Sequence, residues 1–125
     1  IRELRAKGNK VELAGIFYHL GENDMSFPPY RERAADRVRE IIVRSRKDLG
    51  MARLKWFVSQ QSPPDVEGLG DVDVVGDMER AAEADRSFVH LKAFNLPRQE
   101  KILVLDTKGV VRLGEVLAKG FLEQK

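Results

Sequence analysis

Three apolar runs spaced along the chain are the feature that most constrains its fold. They occupy residues 11–18, 54–59 and 87–94. The first run is broken only by Glu12, which is typical of a strand covered on both faces of a sheet. Apolar residues recur at helical spacing between and after these runs, over residues 30–49, 73–84 and 108–122. The alternation of strand and helix predicts an α/β fold with a parallel sheet and right-handed crossovers.

The predicted sheet is thin, because a sheet of three strands leaves both outer strands as open edges. Natural doubly wound domains typically have about five strands. We therefore expect residues 1–125 to be either a single α/β domain that associates through an edge strand or the C-terminal half of a larger domain. In the second case an N-terminal segment or a second chain completes the sheet.

Composition argues against several classes of function. The chain has no cysteine, so it offers no disulfide, no thiolate zinc site and no thiol nucleophile. Its 22 basic and 20 acidic residues are interspersed, which argues against nucleic acid as a partner. No apolar run approaches the roughly 20 residues that span a bilayer, so we expect no membrane partner. The two histidines lie far apart, and no glycine-rich loop follows a predicted strand, so we expect no metal and no other cofactor.

The first apolar run is followed by Gly21-Glu22-Asn23-Asp24, the clearest candidate for a functional element. In open α/β folds, ligands bind beyond the carboxyl ends of the strands, where these residues fall. The neutral amide of Asn23 can donate a hydrogen bond to a developing oxyanion without neutralising an attacking group. The alternative interpretation is a plain turn between strand and helix, because all four residue types suit turns and helix caps.

Four segments, in order along the chain, carry a resemblance to a known family. They are Tyr18-His19-Leu20-Gly21-Glu22-Asn23-Asp24, Arg46-Lys47-Asp48-Leu49-Gly50 at the end of a helix that begins near Tyr30, Phe57-Val58-Ser59-Gln60-Gln61, and Asp106-Thr107-Lys108-Gly109 with Leu113-Gly114-Glu115. The chain resembles the SGNH (GDSL-like) hydrolases, in their branch of sialate O-acetylesterase-like carbohydrate esterases. This resemblance implies a three-layer, flavodoxin-like α/β fold, of which the chain is the C-terminal half. It also implies a serine hydrolase whose substrate is acetylated carbohydrate, from which it removes acetyl groups.

The resemblance implies roles for the residues at the predicted strand ends. In this family a serine attacks the acyl carbon, a histidine carries its proton, and an acidic residue or a backbone carbonyl orients the histidine. Asn23 corresponds to the asparagine that holds the oxyanion, and Gly21 allows close approach of the backbone. The candidate substrate-binding residues, two of which also support the turn, are Glu22, Asp24, Gln60 and Gln61.

Two departures from the family pattern concern the nucleophile and the histidine. The G-D-S element that carries the serine is absent, and Ser59, at a strand end, is the candidate substitute. The pattern D-x-x-H-x-D-x-x-G, counted back from Gly109, places Lys101 at the aspartate and Val104 at the histidine. Neither side chain can do that chemistry.

His90 is the other candidate for the catalytic histidine, with Asp85 before it in the sequence. The alternative is that His90 is a strand residue at the sheet surface, and His19 is expected to pack beneath the turn. Two functions therefore stay open. One is an acetylesterase whose nucleophilic serine lies outside this chain. The other is a catalytically eroded SGNH-fold module, which has lost the catalytic triad and serves as a binding or interaction module.

Overall fold

The computed structural model describes residues 1–64, 72–99 and 104–124. Helices and strands alternate along this part of the chain, as the apolar pattern predicts. In chain order they are α1 (Arg2–Ala6), β1 (Ile16–Leu20), α2 (Glu22–Ser26), α3 (Pro28–Arg31), α4 (Ala34–Leu49), β2 (Trp56–Gln60), α5 (Val74–Glu83), β3 (Phe88–Lys92) and α6 (Thr107–Leu122).

The strands form a parallel sheet in the order β1-β2-β3. In register, Ile16 of β1 lies beside Trp56 of β2, which lies beside Phe88 of β3. Helices connect the successive strands, so the predicted α/β fold with a parallel sheet is confirmed. The first strand is observed at Ile16–Leu20 instead of residues 11–18. It begins later than predicted because β2 begins only at Trp56, and it ends two residues further along the chain. The backbone pairing therefore starts where the N–H of Ile16 donates to the carbonyl of Lys55.

One face of the sheet packs against α4 and α5 and holds the main hydrophobic core. Side chains alternate between the two faces along a strand, so Trp56 and Val58 of β2 lie on this side together with Phe88. The helices contribute apolar side chains about one turn apart, which are Ala34, Val38 and Ile42 from α4 and Val74, Met78 and Ala81 from α5. Every residue of β2 is buried, so this strand is the centre of the fold.

The opposite face of the sheet packs against α6. Phe57 of β2 contacts Phe121 of α6 and Phe17 of β1, with ring centroids 5.6 Å and 5.1 Å apart. A β-carbon at Gly120 would stand 2.6 Å from the Leu91 side chain, so glycine lets α6 approach β3 closely. Helices therefore cover both faces, which makes three layers. The cover is incomplete near β1, where Phe17 remains 48% exposed.

A charged cluster at the amino edge of the sheet ties α4 to the strands. Arg46, in the last turn of α4, donates to the carbonyl of Leu54 at 3.0 Å and to the carboxylate of Asp85 at 2.5 Å. The other oxygen of that carboxylate accepts from the backbone N–H of Ser87. Burial alone would raise the pKa of Asp85, but the hydrogen bonds from Arg46 and Ser87 outweigh burial and lower this pKa. Asp85 is therefore ionised, and its carboxylate fixes the backbone just before β3 to the end of α4.

Two glycines of α6 provide a matched test of this packing. A β-carbon at Gly109 would stand 2.0 Å from the carbonyl oxygen of Pro97, whereas one at Gly114 would meet nothing within 4 Å. We expect Gly109→Ala to lower the free energy of unfolding by about 1–3 kcal/mol, because the backbone must shift to admit the methyl group. Gly114→Ala should raise it by about 0.5–1 kcal/mol, because alanine favours the helix. Urea denaturation measures both, and equal effects would contradict the described contact with Pro97.

Candidate functional site

The strands end together at one edge of the sheet because they run parallel. Leu20, Gln60 and Lys92 are their last residues and lie side by side in the register. Gly21 and Gln61 follow directly. The structure therefore brings the Gly-x-Asn-Asp element and the two glutamines, which belong to separate segments of the chain, to the same edge.

Gly21 and Asn23 begin the short helix α2 at this edge. Gly21 is the residue before the helix, with φ −73° and ψ 166°, and a β-carbon there would meet nothing within 4 Å. Asn23 is exposed, whereas Met25 on the same helix is fully buried in the core. The helix is thus anchored by Met25 and leaves Asn23 open to solvent. The side chain of Glu22 lies outside the described part of the structure.

Asp24 is half-buried and lies close enough to Tyr18 for its charge to act on the phenol. Burial raises the pKa of Tyr18, and the negative charge of Asp24 raises it further. Tyr18 therefore stays protonated at neutral pH and does not serve as a base at this edge.

A chain of hydrogen bonds links the ends of β1 and β2. Gln61 Nε2 donates to His19 Nε2 at 3.1 Å, and His19 Nδ1 lies 2.8 Å from Ser59 Oγ. The Ser59 hydroxyl donates its single proton to the carbonyl of Tyr18, so its oxygen accepts from His19 Nδ1–H. His19 is half-buried and bonds to the end of β2, and its packing beneath the turn stays a prediction. Ser59 is fully buried with its proton engaged, so it does not fit the role of a substitute nucleophile.

A second hydrogen bond links β2 to β3. His90 Nε2 donates to Gln60 Oε1 at 2.7 Å, and the amide nitrogen of Gln60 lies 3.8 Å from the sulfur of Met25. Burial lowers the pKa of His90, and the charge of Glu79, which is paired with Lys92, opposes burial only in part. His90 is therefore neutral at pH 7, with its Nε2–H held by a buried amide.

The two members of the predicted catalytic pair have different partners. Asp85 precedes β3 at the amino edge of the sheet, where it binds Arg46. His90 lies in the middle of β3 and binds Gln60. No hydrogen bond joins Asp85 to His90 among the described contacts, and their catalytic roles stay predictions.

Val104 occupies the position that the family pattern assigns to the histidine, and its side chain is exposed. Lys101, at the position of the aspartate, lies outside the described residues. Residues 1–64, 72–99 and 104–124 contain no group of three or more histidine, aspartate or glutamate side chains placed to hold a metal ion. Among the helices in these ranges, none combines the length and the apolar character that crossing a membrane requires.

Gln60 and Gln61 are internal, which their position at the end of a predicted strand did not reveal. Both are buried, at 0% and 4% exposure, and each amide is hydrogen-bonded to a histidine of a neighbouring strand. The signal that locates these bonds is the strand register, in which His19 lies beside Ser59. Direct contact of the two glutamines with sugar stays a prediction.

Comparison with known proteins agrees with the resemblance in the sequence. A model of a family described as carbohydrate esterase, sialic acid-specific acetylesterase, matches residues 1–123. No curated protein matches the chain. Among solved structures, the chain is similar to an Arabidopsis thaliana protein determined by X-ray diffraction at 1.6 Å resolution, with 22% sequence identity and a TM-score of 0.68. The alignment covers 98% of this chain and 48% of the plant protein, so the chain spans about half the length of that structure.

The burial of His90 predicts a measurable dependence of stability on pH. The pKa of His90 in the folded chain lies below its unfolded value of about 6.5. At a pH between these two pKa values, the imidazole is mostly protonated in the unfolded chain and mostly neutral in the folded one. We expect the free energy of unfolding to fall as the pH drops below about 6.5, and the His90 ring to titrate by NMR below that pH. His90→Gln should lack this part of the pH dependence. A titration midpoint at or above 6.5 would contradict the burial of the imidazole.

Proposed function

This chain belongs to the carbohydrate esterase, sialic acid-specific acetylesterase family, and from that membership we propose that it forms part of a site that removes acetyl groups from sugar hydroxyls. Its three-layer arrangement with a parallel sheet corresponds to part of the flavodoxin-like SGNH fold. In this proposal Asn23 donates to the oxyanion, and Gly21 leaves room for the acyl group.

The observation that carries the proposal is the position of Asn23. It is exposed at the carboxyl edge of a parallel sheet, on a helix whose neighbouring residue Met25 is fixed in the core. Oxyanion stabilisation is strong when the donor is held in place before the charge develops. The open space beside Gly21 supports the same role, because neither its backbone angles nor its described neighbours require a glycine.

The proposed reaction is acyl transfer in two steps. A serine hydroxyl attacks the acetyl carbonyl carbon, its proton passes to a base, and the carbonyl oxygen becomes the oxyanion that Asn23 binds. The intermediate then expels the sugar oxygen, which takes the proton from the base, and the acetyl group remains on the serine. Water attacks this acetyl-serine in the same way and releases acetate.

We place the nucleophilic serine outside residues 1–125, on a segment or second chain that extends the sheet beside β1. Among the described residues β1 pairs with β2 alone, so its outer side offers free backbone groups for another strand. Phe17 at this edge is 48% exposed, which leaves apolar surface for that strand or its helix to cover. A strand added there ends next to Asn23. Residues 1–125 then form the C-terminal part of one hydrolase domain.

The base and the sugar contacts complete the proposal. His90 is neutral at pH 7 and can accept a proton at Nδ1 while Gln60 holds its Nε2–H. Asp85 would have to leave Arg46 and replace Gln60 to orient the ring. The candidates that bind the sugar hydroxyls are Glu22 and Asp24, which flank Asn23. Gln60 and Gln61 stay candidates for direct sugar contact, and their amides also hold His90 and His19.

A catalytically eroded binding module is the second candidate function. What favours it is that both histidines are held by buried polar side chains, His19 by Ser59 and His90 by Gln60. Val104 at the family's histidine position points the same way. Such a module binds sugar at the carboxyl edge of the sheet but does not transfer the proton that ester hydrolysis requires.

A fluorophosphonate that traps activated serines separates the two functions. The purified protein is treated with the reagent and measured by intact-mass spectrometry. An adduct on a second polypeptide, or on a segment joined to this one, supports an assembled esterase site. A single unlabelled species of 14.2 kDa would mean that this chain is no serine esterase by itself and would favour the binding module.

Asn23→Ala tests the assigned role in the assembled enzyme. We expect kcat for an acetylated sugar to fall by roughly 100-fold or more, because the oxyanion loses a preorganised donor. Thermal stability should stay unchanged, since Asn23 is exposed. Asn9→Ala is the matched control, because Asn9 is also exposed, and its side chain donates to the carbonyl of Leu4 in α1. An unchanged kcat in Asn23→Ala would remove this residue from the mechanism.

A further inference from the structure

Two exposed aromatic side chains follow Asn23 closely in the sequence. Phe27, which directly follows α2, is 54% exposed, and Tyr30 in α3 is 44% exposed. Neither ring belongs to the core cluster that anchors the neighbouring Met25. Large aromatic groups are mostly buried in folded proteins, so a pair left in solvent beside a candidate site indicates a binding surface.

The aromatic pair is held in a fixed arrangement. The ring centroids of Phe27 and Tyr30 lie 6.1 Å apart, with the rings inclined at 70°. The guanidinium carbon of Arg37 lies 4.8 Å from the centroid of Tyr30, within the range of a cation–π contact. Pro28 and Pro29 restrict the backbone between the two rings. A surface that is already ordered loses little conformational entropy when it binds a ligand.

Helix geometry brings the aromatic surface next to Asn23. Asn23 lies in α2 and Phe27 directly follows the last residue of that helix, so one helical turn, roughly 5.4 Å of rise, separates the two positions. Both side chains are exposed. A sugar ring resting on Phe27 therefore holds its O-acetyl group near the amide of Asn23.

We propose that Phe27, braced by Tyr30, is the stacking surface for the pyranose ring of the substrate, an assignment that rests on the proposed esterase function. The C–H groups on one face of a pyranose carry partial positive charge, because the sugar oxygens withdraw electrons. The face of an aromatic ring carries partial negative charge and attracts them. Two rings make a small patch compared with a stable protein interface, which favours a sugar over a protein partner.

The test measures affinity for a sugar that lacks the acetyl ester, so that stacking is separated from catalysis. The methyl α-glycoside of N-acetylneuraminic acid is titrated into the protein while the ring signals of Phe27 are followed by NMR. Phe27→Leu keeps apolar bulk but removes the ring, and we expect it to weaken binding about 5-fold. Leu122→Ala is the control, because Leu122 is 62% exposed at the end of α6, where Gln124 bonds to Lys55 at the opposite edge of the sheet. Its affinity should equal that of the unmodified chain.

Each outcome decides the proposal. Shifted Phe27 ring signals with a selective loss of affinity in Phe27→Leu support the stacking surface. Absence of binding, binding that leaves the Phe27 signals unshifted, or equal affinity in both variants would overturn it. Deacetylation assays on the same samples report separately on the esterase function. If Phe27→Leu loses sugar binding while no sample hydrolyses an acetyl ester, the stacking surface stands and the esterase proposal fails.

Discussion

The burial of the central strand β2 is the constraint on which the rest of the structure depends. All of its residues are buried, with Trp56 and Val58 against the α4–α5 layer and Phe57 against α6. Backbone N–H and C=O groups in such a place must be hydrogen-bonded, and parallel pairing with β1 and β3 satisfies them on both sides. The carboxyl ends of the strands therefore meet at one edge, and the residues that follow them are brought together there.

The polar residues at the end of β2, within the candidate site, are buried and must also be hydrogen-bonded. Ser59, Gln60 and Gln61 are buried, and buried polar groups are tolerated only when they are hydrogen-bonded. His19 from β1 and His90 from β3 supply those bonds, so each outer strand is tied to β2 by one histidine. This arrangement ties the ends of the strands together and engages both histidines. An esterase at this edge uses Nδ1 of His90, with Nε2–H still held by Gln60, or takes its base from another segment, whereas a binding module needs neither.

Much of the fold could be predicted because apolar periodicity is a local signal. The last helix, predicted over residues 108–122, is observed as Thr107–Leu122, and the parallel sheet follows from the same alternation. The first strand begins at Ile16 instead of residue 11, because its start is set by the point where β2 begins to offer a partner. Asn23 could be placed at the edge since it directly follows a strand. The partners of His90 could not be predicted, because they come from another strand and another helix.

By itself, the sequence determined the order of strands and helices, membership of the esterase family and the place of the Gly-x-Asn-Asp element beyond a buried strand. These properties are carried by neighbouring residues, whose spacing and chemical type act within a few turns of chain. Only the tertiary structure decided that Asp85 binds Arg46, that Gln60 is buried against His90 and that Phe27 remains in solvent. Those outcomes depend on which face each strand residue occupies and on the register between strands. Residues far apart in the chain set that register jointly, so no local pattern encodes it.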